Sequence, residues 1–198
     1  MRNFFKKAKK IHFVGIGGIG MSALARMALK DGKTVSGSDI LLSPLAEKLA
    51  KLGAKIFKGH GERNLPPDAE IVVYTTAAPP DNPEIIKARE LKIPVLSYPQ
   101  VLGAVSAGKR TIAVAGTHGK TTTTAMIARI LIRAGKNPEV IVGSLLGKEF
   151  GEYLGSNFIP GTGRYFVCEA CEYRRAFLNF APQIAVITNI DADHLDYY

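Results

Sequence analysis

With 198 residues, 46% of them hydrophobic, the chain has room for one large domain or two small ones. Its formal net charge of +9 is concentrated at one end, because Arg2, Lys6, Lys7, Lys9 and Lys10 all fall within the first ten residues. That distribution reads as a solvated basic extension and not as a nucleic-acid surface. No apolar run approaches the roughly 20 residues needed to span a bilayer, and the basic start precedes only a short apolar strand, so neither membrane insertion nor secretion is expected and a cytoplasmic location is.

Residues 10–15 read as a short buried strand that runs into Gly15-Ile16-Gly17-Gly18-Ile19-Gly20, with Met21, Leu24, Ala25 and Ala28 following at helical spacing. Strand, glycine turn and helix in this order, with glycines at positions 15, 17 and 20, let backbone approach a diphosphate at a helix N-terminus. A strand over 34–38 ends at Asp39, about 20 residues beyond the turn, where a carboxylate can hold a ribose hydroxyl. A helix over 44–52, strands over 55–57 and 70–75, a helix over 83–91 and a strand over 94–96 continue the alternation, which predicts a parallel, doubly wound α/β sheet. Thr75-Thr76-Ala77-Ala78-Pro79 closes one of these strands, either facing the ligand of the glycine turn or simply turning toward the next helix. Residues 98–109 then read as a connecting helix or linker, with Gly103 and Gly108 as flexible points.

A second α/β unit begins at Arg110, with strands expected over 111–115, 139–142, 165–170 and 184–188 and an irregular excursion over 143–163. Its first strand leads into Gly116-Thr117-His118-Gly119-Lys120-Thr121-Thr122-Thr123-Thr124. Such a loop turns backbone N–H groups and a helix N-terminus toward a phosphate, while Lys120 reaches the terminal phosphates and Thr121 offers a hydroxyl to Mg2+. Val114 stands where the usual P-loop has its first glycine, so this is a shortened variant. Ile127, Ile130, Leu131 and Ala134 recur at the helical period after it, and Gly135 is a natural stop.

Cys168 and Cys171 have the spacing of a redox motif or half a zinc site. No second metal pair accompanies them, and they end a strand instead of opening a helix, so a reduced structural pair is expected. Glu169 and Glu172 follow one predicted strand, and Asp191, Asp193, His194 and Asp196 follow another. Carboxyl ends of parallel strands face one crevice, which directs Glu169 and His194 toward a Mg2+ near Lys120 and Thr121, with histidine the unusual ligand for that ion. A dehydrogenase leaves the second glycine turn without a role, and a generic ATPase leaves the first. Two anion-binding turns point to two phosphate-bearing ligands.

Together these stretches resemble the ATP-dependent Mur ligases, which build the peptide stem of peptidoglycan. HFVGIGGIGMSALA and VSGSD look like that family's UDP-binding domain, TTAAPPDNPEI like its substrate-contacting strand end, AGTHGKTTTT like its ATP loop, and EACEYRRAFL with TNIDADHLD like its metal-binding region. The resemblance covers essentially the whole chain. It implies a Rossmann-like parallel-sheet domain over 1–98 that binds the UDP-sugar, a linker over 99–109, and over 110–198 the N-terminal part of a P-loop α/β ATP-binding domain.

Within the family the likeness is close to the member that adds L-alanine to UDP-N-acetylmuramate. The implied reaction has ATP phosphorylate the muramoyl carboxylate to an acyl phosphate, which the amine of L-alanine attacks to give amide, ADP and phosphate. The resemblance puts Gly15, Gly17, Gly18, Ile19, Gly20, Asp39, Thr75, Thr76 and Ala77 on the UDP-sugar, and Gly116, Thr117, His118, Gly119, Lys120, Thr121 and Thr122 on ATP. It makes Lys120, Glu169 and His194 catalytic, with Thr121 and Glu169 on one Mg2+ and His194 on a second Mg2+ or its water. The ligase that recycles whole peptides usually departs from GIGGIGMS, and folylpolyglutamate synthetases lack this kind of first unit, so both fit less well. Family members have three domains. The resemblance therefore predicts that the rest of the ATP domain and an amino-acid-binding domain are missing here, that the second sheet has an open edge, and that the chain alone binds without turnover.

Overall fold

The computed structural model describes residues 4–193, 195, 197 and 198. The chain divides into two compact units, one ending at Val101 and the other starting at Leu102, and each contains a five-stranded sheet.

The first unit contains α1 (Phe4–Lys7), β1 (Lys10–Val14), α2 (Ile19–Lys30), β2 (Thr34–Asp39), α3 (Pro44–Lys51), β3 (Lys55–Lys58), β4 (Ile71–Tyr74), α4 (Pro83–Glu90) and β5 (Val95–Ser97). Its sheet runs β3-β2-β1-β4-β5, and every pair is parallel, as the alternation of elements predicts. The central strand β1 pairs Phe13 with Gly37 on one side and with Val73 on the other. A strand covered on both faces needs a continuous apolar run, and Ile11, Phe13 and Val14 are all buried. His12, equally buried, breaks that run. Met21, Leu24, Ala25 and Ala28 of α2 are buried at the expected spacing. The starts of α3 and α4 are set by local chemistry: Ser43 and Asn82 accept hydrogen bonds from backbone amides of the first turn, and Pro44 and Pro83 take the first helical position. The winding reverses between β1 and β4, where an open parallel sheet forms its ligand crevice.

Residues expected to form a connecting helix or linker form α5 (Tyr98–Ser106), and the boundary between the compact units falls inside that helix. The second unit then contains β6 (Arg110–Ala115), α6 (Lys120–Arg133), β7 (Glu139–Ile141), β8 (Phe158–Ile159), β9 (Tyr165–Glu169) and β10 (Ile184–Ile187). The sheet order is β10-β6-β9-β7-β8. The helix expected after the loop forms as α6 and stops before Gly135, while one expectation fails. The excursion over 143–163 holds the two-residue strand β8, which pairs antiparallel with β7 through Val140 and Ile159, and a 3₁₀ segment, Lys148–Tyr153. On α6 the inner face is carried by Thr124 and Ala128, with Ile127 and Leu131 packed beside them, while Ile130 is 65% exposed and Ala134 lies at the C-cap. Position 130 is turned well round the helix from the line of 124, 128 and 131, so the apolar residue there faces out. Among the described residues β10 and β8 are the two edge strands of this sheet, and Ile184 and Ile187 of β10 are exposed. Among the described residues no helix is long and apolar enough to cross a membrane.

Candidate functional site

In the second unit, β6 ends at Ala115 and α6 starts at Lys120, leaving residues 116–119 as a loop whose last member, Gly119, is in the left-handed conformation with φ of 80°. The segment after β10 fixes the shape of this loop. Thr188 Oγ1 donates to the His118 carbonyl at 2.5 Å, and the Asn189 side chain accepts from His118 N at 2.9 Å while donating to the same carbonyl at 3.0 Å. Thr117 Oγ1 accepts from Asp191 N at 2.9 Å, and Thr117 N donates to Asn189 O at 3.2 Å. The loop is therefore held in shape by a neighbouring strand end. Thr188 and Asn189 carry positioning roles that sequence reasoning did not assign; their only signal is a hydroxyl and an amide directly after a strand.

The loop mouth is closed by Lys120, whose ammonium donates to Gly116 O at 2.5 Å, to Thr117 O at 2.9 Å and to Glu172 Oε1 at 3.1 Å. Beside it Thr121 Oγ1 donates to Glu169 Oε2 at 3.1 Å. Glu169 arrives there because β9 lies next to β6, with Glu169 opposite Val114, so both chains end on the same rim. Its other oxygen accepts from Gly143 N at 2.6 Å. A side chain at position 143 would set its Cβ 2.7 Å from Glu169 Oε2, so glycine is what allows that approach.

A hydroxyl and a carboxylate are the hard oxygen donors that Mg2+ prefers, and this ion commonly keeps waters and takes substrate phosphates for its remaining positions. The donor pair fits it. Among the described residues, no group of three or more His, Cys, Asp and Glu forms a metal cage of the other kind. An apolar cleft of about 450 Å3 adjoins the loop, lined by Ala115, Gly116, Phe177, Ile187 and Ile190 among others. Thus Lys120, Thr121 and Glu169 are brought together, and Thr122 sits one residue further along the first turn of α6. His194 and Asp196 lie outside the described residues. The cysteines separate: Cys168 is buried in β9, where burial pushes its thiol up, whereas Cys171 is exposed, and both are free. Only the first has the character of a core residue.

In the first unit, Gly15, Ile16 and Gly17 follow β1, and all three of their amides end on the tip of β2. Gly15 N and Ile16 N donate to Ser38 O at 2.8 and 3.0 Å, and Gly17 N donates to Asp39 Oδ2 at 2.8 Å. Asp39 is thus fixed at the turn, and it takes up one of the amides the turn would offer an anion. Gly18 caps α2, which Ile19 and Gly20 open. Thr75 sits across the crevice at the end of β4, its N donating to Val14 O at 3.0 Å and its methyl lying where a Cβ on Gly15 would be. Gly15 also has φ of 81°, so two independent constraints require glycine there. Thr76 is half-buried and Ala77 exposed in the turn that follows.

Sequence reasoning missed a buried polar cluster behind this rim. Glu84, in the first turn of α4, accepts from His12 Nε2 at 2.8 Å and from Ser38 Oγ at 2.6 Å through one oxygen. Through the other it accepts from Gly61 N at 3.0 Å and Asn64 Nδ2 at 3.1 Å. Burial acts to raise the Glu84 pKa, but hydrogen bonds from His12, Ser38 and the Gly61 amide outweigh it and bring it from 4.5 to about 2. The one signal in the sequence is the histidine interrupting an apolar central strand.

Two α/β units, each with a glycine turn between its first strand and a helix, the second with a lysine and threonine set against an acidic strand end, define an α/β protein with two strand-turn-helix units of the kind that can receive an anion. The chain belongs to the Mur ligase family: residues 10–110 match the Mur ligase family catalytic domain and residues 114–198 the Mur ligase middle domain. It is similar to a UDP-N-acetylmuramate–L-alanine ligase of Clostridium acetobutylicum, with 48% identity over 192 residues, covering 96% of this chain and 41% of that protein. The crystal structure of UDP-N-acetylmuramate-alanine ligase from Thermotoga maritima superimposes with a TM-score of 0.84 at 39% identity, over 96% of this chain and 43% of that one. A UDP-N-acetylmuramate:L-alanyl-gamma-D-glutamyl-meso-diaminopimelate ligase from Neisseria meningitides gives the same TM-score, 0.84, at 31% identity, over 96% of this chain and 63% of that one. The chain thus spans about two fifths of the length of the curated relatives it matches.

Proposed function

We propose that the protein carrying these two units joins L-alanine to UDP-N-acetylmuramate at the expense of ATP. The first unit holds the UDP-sugar through Gly15, Gly17, Gly18, Ile19, Gly20, Asp39 and the strand end Thr75, Thr76 and Ala77. The second holds ATP through residues 116–122. The observation that carries this reading is the convergence of Lys120, Thr121 and Glu169 on one loop mouth, with Thr121 and Glu169 3.1 Å apart. L-alanine is favoured over a preformed peptide because the alanine ligase of Thermotoga maritima is 39% identical and the peptide ligase of Neisseria meningitides 31%.

In the reaction a carboxylate oxygen of the muramoyl group forms a bond to the γ-phosphorus as the bond from that phosphorus to the β-phosphate oxygen breaks. ADP leaves with that electron pair. The alanine amine, after losing its ammonium proton to solvent or a base, attacks the acyl carbon, and the tetrahedral adduct expels phosphate with its bonding pair while the nitrogen gives up a second proton to the departing phosphate or solvent. Little of this asks for covalent chemistry from the protein, so positioning and charge neutralisation dominate. The amides of residues 116–119 and the N-terminus of α6 hold phosphate oxygens. Lys120 leaves Gly116 O and Glu172 for the transferring phosphoryl group. Thr121 and Glu169 are the residues that would hold Mg2+, which when bound neutralises charge on the β- and γ-phosphates. His194 is assigned a second Mg2+ or its water on the family resemblance. Both substrates are charged, consistent with work in the cytoplasm.

The test is phosphate release by the full-length protein. Release that requires UDP-N-acetylmuramate and L-alanine together is expected, and release indifferent to L-alanine would contradict the reading. For the 198 residues alone, binding without turnover is expected, and calorimetry with UDP-N-acetylmuramate decides it.

A further inference from the structure

The ligation chemistry makes no use of the cluster around Glu84, although it is a buried set of polar groups. Side chains from β1 (His12), β2 (Ser36 and Ser38) and α4 (Glu84) meet the segment after β3 that carries His60, Gly61 and Asn64. His12, Ser38 and Glu84 are all 0% exposed.

A carboxylate only accepts, so His12 carries its proton on Nε2 and the Ser38 hydroxyl donates to Glu84. That hydroxyl then accepts from His60 Nδ1, 2.9 Å away. Ser36, His12 and Glu84 have the connectivity of a nucleophile, base and acid, but Ser36 is only 6% exposed and no substrate can reach it. A structural reason is needed instead. An ionised carboxylate in a core is costly to bury and is often matched in stability by apolar residues of like volume, so it is best explained by the geometry it fixes.

That geometry is at Ser38. Its carbonyl holds Gly15 N and Ile16 N, and the carboxylate of the next residue, Asp39, holds Gly17 N, so the glycine turn hangs on the Ser38 carbonyl and the Asp39 side chain. The Ser38 side chain is clamped from behind by Glu84 at 2.6 Å. We propose that Glu84 is a positioning residue for the first unit: by clamping Ser38 it sets the shape of the glycine turn before a nucleoside diphosphate arrives. The inference rests on the reading above that this turn binds the UDP-sugar.

Ser38→Ala removes the clamp and leaves Glu84 with its other three hydrogen-bond partners, His12, Gly61 and Asn64, so it is the variant that decides; Glu84→Gln is the second. Two measurements on the full-length protein are needed: calorimetric affinity for UDP-N-acetylmuramate, with ATP as control, and hydrogen exchange of the ligand-free protein. Ser38→Ala is expected to weaken UDP-N-acetylmuramate about tenfold, leave ATP affinity unchanged, and speed exchange at Gly15, Ile16 and Gly17 while amides of β5 keep their rates. Glu84→Gln, if folded, is expected to weaken it by no more than Ser38→Ala does, with the double variant no weaker than Ser38→Ala alone, because both act through one contact. Conservative Ser38→Thr is expected to restore much of the affinity. A folded Ser38→Ala protein with wild-type affinity and unchanged exchange at the turn overturns the inference. Wild-type protein that does not bind UDP-N-acetylmuramate overturns the functional reading instead, and the exchange rates still decide whether Glu84 shapes the turn.

Discussion

The ammonium of Lys120 lies 3.1 Å from the carboxylate of Glu172, and both side chains are largely shielded from solvent. In the proposed reading, the lysine that meets a phosphate is therefore already paired, and ATP displaces that carboxylate. Glu172→Gln is expected to tighten ATP binding by a few-fold, since a partly exposed ion pair contributes on the order of 1 kcal/mol. Calorimetry checks this. Weaker binding in the variant would mean that Glu172 itself assists the nucleotide.

Lys120→Ala removes the opposite member. Losing the charge at a transferring phosphoryl group is expected to cost about 3 to 4 kcal/mol of barrier, a drop of roughly a hundredfold to a thousandfold in turnover. Binding of UDP-N-acetylmuramate, whose proposed residues all belong to the first unit, should persist. Loss of both functions in a folded variant would contradict the assignment of the two turns to two ligands.

Gly143→Ala tests how Glu169 is held. The new methyl would lie 2.7 to 2.9 Å from the carboxylate atoms of Glu169, so the carboxylate must shift from the position in which it meets Thr121. Disturbing a residue that orients a metal ligand commonly costs ten- to a hundredfold, so a Mg2+ titration of turnover should show a higher requirement of about that size. An unchanged Mg2+ dependence would remove Glu169 from the metal site.

Glu84 makes the first unit sensitive to acid. Its folded pKa of about 2 is below the ordinary 4.5, so folding favours the ionised form. The stabilisation is complete above about pH 4.5 and is lost as pH falls through about 2. Glu84→Gln should be less stable at neutral pH and show a flatter loss over that window, read by thermal unfolding at a series of pH values. An identical slope in both proteins would place the acid sensitivity elsewhere.

Local chemistry made much of this legible. The glycine turns and the buried spacing of α2 each depend on neighbours a few residues away, and Lys120, Thr121 and Glu169 follow from the rule that parallel strand ends share a crevice. What stayed hidden depends on distant pairing. β8 has two residues and exists only because β7 accepts it. The inner face of α6 is carried by Thr124 and Ala128, small residues that an apolar count passes over in favour of Ile130. His12 and Glu84 are 72 residues apart, and Glu84 taken alone reads as a solvated acid in a first helical turn. Lys120 and Glu172 are separated by 52 residues and meet only because β9 lies against β6.

The central claim is that ATP activates the carboxylate of the UDP-sugar as an acyl phosphate. The most direct measurement uses UDP-N-acetylmuramate with both carboxylate oxygens replaced by oxygen-18, L-alanine and the full-length protein, and reads the mass of the released phosphate. The account predicts one oxygen-18 in each phosphate and one retained in the new amide. Unlabelled phosphate would contradict it, because ATP would then have been hydrolysed by water.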